Sequence, residues 1–256
     1  MSRRASLLLS LALLAGIAPV AGIAESMTRE QRKQAAEINA QLAITYLKQG
    51  DLASARDKID RALEQYPKTA ETQMVAGFVY DRLGEERKAQ GYFEEAVKLA
   101  GKDNPDVLNN AAVFECRKGD KKRGVEYFLR AAESPLYRTP EAAYTNAGHC
   151  ARANGDAKDA ERYFRQALAI KPNLPDPLLQ MASLQFENGN ALQARAFLQR
   201  YQDVAPASAA SLWLGCRIER SLGDGAAADE YARRLRKDFP TSVEADELFK
   251  SERAGP

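Results

Sequence analysis

Histidine is nearly absent from this chain: His149 is the only one in 256 residues. A single imidazole cannot build a histidine-based metal cluster, and no Cys-x-x-Cys pair stands in for one. A glycine-rich phosphate loop and a nucleophile elbow are missing as well. The sequence therefore predicts no enzyme, no metal, no cofactor and no small-molecule substrate. His149 directly precedes Cys150. Neighbours on a helix diverge by roughly 100°, so the two read as separate packed or solvated residues, not as a catalytic dyad.

An excess of charge of one sign is also lacking. Arg3 and Arg4 belong to an N-terminal stretch of its own kind; without them the 37 basic residues fall to 35, equal to the 35 acidic ones. A balanced chain has no basic stripe for phosphates, which excludes a nucleic-acid partner and an electrostatically held membrane surface. Long apolar runs are lacking except once. In MSRRASLLLSLALLAGIAPVAGIAES, two arginines precede an apolar or small run from Leu7 to Ala24. That is the pattern of an export signal, with cleavage expected before Glu25. An uncleaved anchor helix is the other reading. Ser10, two glycines and Pro19 favour cleavage.

What is present is a repeat. Turn glycines recur at Gly50, Gly84, Gly119, Gly155, Gly189 and Gly223, with gaps of 34, 35, 36, 34 and 34 residues. Five residues after each stands a small residue: Ala55, Ala89, Gly124, Ala160, Ala194, Ala228. Four further on come Ile59, Phe93, Phe128, Phe164, Leu198 and Ala232. Eight before each glycine stand Leu42, Ala76, Ala111, Ala147, Met181 and Gly215, each followed by a small residue. Pro67, Pro172, Pro206 and Pro240 close four units. A period near 34 built from two helices is the tetratricopeptide signature. The expected fold is all-α: a tetratricopeptide repeat solenoid of six helical hairpins plus a C-terminal capping helix. Residues 1–24 read as signal peptide, 25–240 as the six repeats, and 241–256 as capping helix and tail.

Local chemistry refines this. Thr28-Arg-Glu-Gln31 is a capping box that opens a first helix running to about Gln49. Each turn glycine is expected at positive φ. The insertion at AAESPLYRTPE, with Pro135 and Pro140, should be an irregular loop. After Pro240, Val243, Leu248 and Phe249 are expected on the covering side of the capping helix, and the last three residues should fray.

Solenoids of this kind bind through their first helices. Nine residues before each glycine stand Gln41, Val75, Asn110, Asn146, Gln180 and Leu214; six before stand Ile44, Phe78, Val113, His149, Ser183 and Arg217. The amides at Gln41, Asn110, Asn146 and Gln180 can pair with an extended peptide backbone. Ile44, Phe78 and Val113 make the N-terminal half of the groove apolar; the C-terminal half reads as polar. Ile44 and Phe78 can alternatively pack between helices, and the amides can serve neighbouring backbone. Cys116 and Cys150 lie at similar heights on successive first helices. In an exported protein they read either as a disulfide or as two small buried side chains. Cys216, at a small-residue position, reads as packed and free.

Three segments carry more than repeat consensus: VLNNAAVFECRKGD from Val107, SPLYRTPEAAYTNAGHCARANGD from Ser134, and SLWLGCRIERSLGD from Ser211. With six repeats behind an export signal, they resemble the PilF/PilW-type type IV pilus biogenesis and stability proteins, the pilotins of Gram-negative bacteria. The resemblance spans roughly residues 32–248. It implies a non-catalytic periplasmic protein that helps an outer-membrane secretin assemble and supports pilus-dependent motility. It also implies a Cys116–Cys150 disulfide, since members share paired cysteines there. Members are typically lipoproteins, yet LLAGIAPVAGIAES carries no lipobox cysteine. Association with the outer membrane is therefore expected through the partner, not through a lipid anchor. A general periplasmic adaptor for envelope assembly, or the accessory subunit of an enzyme, are the alternatives.

Overall fold

A computed structural model of the chain describes residues 27–101 and 104–253. The stretch 1–24, expected to be an export signal, and the tail 254–256, expected to fray, lie outside the described residues. Thirteen helices are described, and no strand occurs among the described residues. They pair into six hairpins: α1 (Arg29–Gln49) with α2 (Leu52–Gln65), α3 (Ala70–Arg82) with α4 (Glu86–Ala100), α5 (Pro105–Lys118) with α6 (Lys121–Ala132), α7 (Pro140–Ala153) with α8 (Ala157–Ile170), α9 (Pro175–Glu187) with α10 (Ala191–Gln202), and α11 (Ala209–Ser221) with α12 (Gly225–Asp238). A last helix, α13 (Val243–Arg253), follows. None of the described helices is long and apolar enough to cross a membrane.

The ends of the helices follow from local chemistry. Thr28 Oγ1 accepts from the Gln31 N–H at 3.2 Å while Gln31 Oε1 accepts from the Thr28 N–H at 2.7 Å, which is the capping box. Asp51, Thr69, Asn104, Asp120, Ser208 and Asp224 cap later helices through their side chains. Prolines open α5, α7 and α9, where no intrahelical donor is lost.

Five of the six turn glycines have positive φ; Gly119 does not, at −110°. In the other turns the residue after glycine donates to the carbonyl five positions before it, as Asp51 does to Tyr46. In the third repeat Asp120 donates instead to the Glu115 carboxylate, at 2.8 Å. A Cβ on Gly119 would fall 2.1 Å from that carboxylate oxygen. Glycine is needed there for space, not for a left-handed backbone.

In three hairpins a glycine on the first helix faces a large ring on the second. A Cβ on Gly77 would fall 2.9 Å from the Phe93 ring; on Gly148, 2.5 Å from Phe164; on Gly215, 2.7 Å from Tyr231. The small residues after the turns are all buried, as are Ile59, Phe93, Phe128, Phe164, Leu198 and Ala232. Leu42 departs from its series at 40% exposed. The insertion after α6 is irregular, with Pro135 and Leu136 exposed and Tyr137 folded back on the core.

First helices pack directly on their successors, α1 with α3, α3 with α5, α5 with α7 and α9 with α11, whereas second helices reach theirs through long side chains, as Arg123 of α6 reaches Glu94 of α4 and Gln202 of α10 reaches Tyr231 of α12. The first helices therefore form the inner face of the array. At the end, α13 packs on both α11 and α12, in the place of a seventh first helix. It buries Ala245 and Leu248. Val243 and Phe249 do not cover the last repeat as expected: they are 71% and 56% exposed. At about 100° per residue Ala245 and Leu248 share one face, which leaves Phe249 on its flank and Val243 on the opposite side.

Candidate protein-binding groove

The inner face carries three depressions. The first lies between α1 and α3, holds about 340 Å³, and is floored by Ala40, Met74 and Val75. Gln41 and Ile44 line it, with Glu37 and Glu71 at its rim. Gln41 is exposed and Ile44 half-buried, its inner side packed on the core. Phe78 stands apart from this depression. It is half-buried and meets Phe93 edge-on, ring centres 5.3 Å apart. One of its faces thus belongs to the core of the second hairpin.

The second depression, about 280 Å³, lies between α5 and α7 above Cys116 and Cys150. Val113, 43% exposed, and Asn146 line it together with His149 and Arg117. The two cysteines are bonded Sγ to Sγ, their Cα atoms 5.5 Å apart. Gly124 takes the place that alanine has in most other repeats because a Cβ there would press on Cys150 Sγ at 3.3 Å and on the α5 backbone. His149 Nε2 lies 2.5 Å from Asp176 Oδ2, and its ring meets Phe164 edge-on. It is a packed surface residue, and with Cys150 bonded no dyad exists. Cys216 is buried, and burial pushes its thiol up, so it is a poor nucleophile.

The third depression, about 280 Å³, lies among α9, α11 and α13. It is polar, as expected of the C-terminal half, and adds apolar walls that were not expected. Leu179, Trp213, Leu214 and Val243 give it apolar walls; Arg152, Gln180, Ser183 and Arg217 give it donors. Sequence reasoning passed over Leu179 and Trp213 because it sampled two positions per first helix. The series ten residues before each glycine contains both and would have found them.

The four amides do not act alike. Asn110 points its Nδ2 at Met74 Sδ, 3.4 Å away on α3. Gln180 Oε1 accepts from Arg152 Nη1 at 2.5 Å. Arg152 also donates to Ser183 Oγ at 3.0 Å and pairs with Glu187. Gln41 and Asn146 line open depressions. The inner face is thus a row of separate pockets joined by short polar ridges.

Comparison with known proteins agrees with this architecture. Tetratricopeptide repeat family models match residues 34–102, 117–175 and 151–215. The type IV pilus assembly protein PilF of Pseudomonas aeruginosa is 26% identical over 221 residues, covering 86% of this chain and 87% of that protein. The solved structure of P. aeruginosa PilF superposes with a TM-score of 0.71 and covers 86% of this chain and 99% of the other. The crystal structure of PilW, a widely conserved type IV pilus biogenesis factor, is 31% identical with a TM-score of 0.71, covering 84% and 99%.

Proposed function

The chain belongs to the PilF/PilW family of tetratricopeptide-repeat proteins of type IV pilus biogenesis, and from that premise we propose that it is a non-catalytic scaffold for secretin assembly. The observation that carries the reading is the inner face of the array. Gln41, Ile44, Val113 and Asn146 line open depressions there, and solenoids of this type bind on such faces. The partner is a secretin subunit, held by its backbone and by apolar side chains. Each well-buried large apolar side chain contributes about 1.5–3 kcal/mol. The amides at Gln41 and Asn146 orient the partner by pairing with its backbone. The protein works in the periplasm and reaches the outer membrane through that partner.

The N-terminal half of the groove is the proposed secretin site, spanning Gln41, Ile44, Phe78, Asn110, Val113 and Asn146, with Gln180 beyond it. The test is capture of the secretin from envelope extract, together with counts of secretin multimers and surface pili in a strain carrying the variant. Phe78→Asp should abolish all three. Phe78 also serves the core, so Val113→Asp, at an exposed position, is the companion variant. Both must first show native helicity. Normal multimers and pili with both folded variants would place the partner elsewhere. A general envelope adaptor would leave secretin multimers intact when the gene is deleted.

A further inference from the structure

The third depression sits at the far end of the inner face from the proposed secretin site. We infer that it is a second, separate docking pocket, built for an extended protein segment that carries an acidic side chain beside an aliphatic or aromatic one.

The argument rests on what its arginines do. Of the two arginines that line it, Arg152 is spent on Glu187. Arg217 is different. Its guanidinium lies 4.7 Å over the Phe186 ring and 6.0 Å from Trp213. Among the described residues it has no carboxylate within ion-pair distance. Stacking on rings fixes the plane of a guanidinium while leaving its N–H edges free. A fork held in that way matches a carboxylate in two parallel hydrogen bonds.

The neighbours define the rest of the occupant. Gln180 has its Oε1 taken by Arg152, so its amide N–H groups are what remain for a ligand. Its Nε2 has only a long 3.5 Å contact with Asp176. Leu179, Trp213, Leu214 and Val243 form the apolar wall. The space, about 280 Å³, takes two adjacent side chains of an extended segment. Glu244 and Glu247 close the α13 side. They repel a second acidic group, so a polyacidic segment is disfavoured and one acid next to an apolar residue is selected.

Trp213 is the sole tryptophan of the chain and lines the pocket, so its fluorescence reports binding directly. The probe is an N-acetylated, C-amidated peptide Gly-Ser-Glu-Leu-Ser-Gly, compared with its Gln-for-Glu version. A second comparison is the Gln version with a free C-terminal carboxylate. Inorganic phosphate serves as the bare anion. The Glu-Leu peptide should give a saturable change. Replacing Glu by Gln, or the protein's Arg217→Gln, should weaken binding about tenfold or more. Val243→Asp should weaken it as well, and its exposed position leaves the fold intact. Val113→Asp, at an exposed position of the secretin site, should leave the response unchanged, so this pocket and the secretin site can fail separately. No saturable response, equal affinity for the Glu and Gln peptides, or displacement by phosphate at similar concentration overturns the proposal. Preference for the free C-terminal carboxylate overturns the choice of an acidic side chain.

Discussion

Glycine appears in this chain for two unrelated reasons, and single residues separate them. Gly50 sits at φ 78°, where only the absence of a Cβ makes the backbone comfortable. Gly148 sits inside a helix, where its own φ is ordinary and the Phe164 ring fills the space a Cβ would need. Overpacking a tight contact costs about 1–3 kcal/mol. Gly148→Ala should therefore lower stability by that amount in urea melts. Phe164→Leu, placed in the Gly148→Ala background, should recover part of the loss, since it removes the clashing atoms. A purely conformational role for Gly148 predicts no recovery.

The two helices of a hairpin are also tied to each other by side chains that reach across. Glu141, in the first turn of α7, is buried and pairs with Lys171 at the end of α8. The hydrogen bond from Lys171 holds the Glu141 carboxyl below its ordinary value of 4.5, against the opposing effect of burial. A carboxylate with a depressed folded-state pKa contributes stability above its unfolded pKa. That contribution is lost as pH falls through the folded value. Glu141→Gln should thus be less stable than the parent at pH 7. The gap should close on acidification below about pH 4.5, the ordinary value from which the carboxyl is depressed. A gap that is constant from pH 7 to pH 3 would assign the loss to packing instead of charge.

Across the whole molecule, the junction between the third and fourth hairpins is the most strongly tied. The α6–α7 contact is the most extensive between consecutive hairpins, and the Cys116–Cys150 bond joins α5 to α7 across a separation of 34 residues. Closing a loop of that length stabilises by about 3–4 kcal/mol in the chain-entropy treatment. Reduction should lower the midpoint of urea unfolding while far-ultraviolet circular dichroism stays helical below the transition. Maleimide labelling of denatured, unreduced protein should find one thiol, Cys216, and three after reduction. Three labelled thiols before reduction would show that the bond does not form.

A 34-residue period needs no tertiary information, because each hairpin repeats the same local problem: stop a helix, turn, and bring two helices close. The turn glycines, the small residues five positions on and the capping box at Thr28 were therefore legible one repeat at a time. So was the matched height of Cys116 and Cys150 on neighbouring first helices. The exceptions arise where a neighbour at long range intervenes. Gly119 keeps negative φ because the Glu115 carboxylate takes over a carbonyl's role. Val243 is exposed because α13 docks by Ala245 and Leu248. The groove shows the same division. Sequence spacing places Gln41, Ile44, Val113 and Asn146 on the inner face. Only packing decides that Phe78 shares itself with Phe93, that Arg152 occupies Gln180, and that Arg217 lies stacked on two rings with its donors uncommitted. Periodicity reports the direction of a side chain from its own helix; which partners it meets there depends on residues about one repeat away.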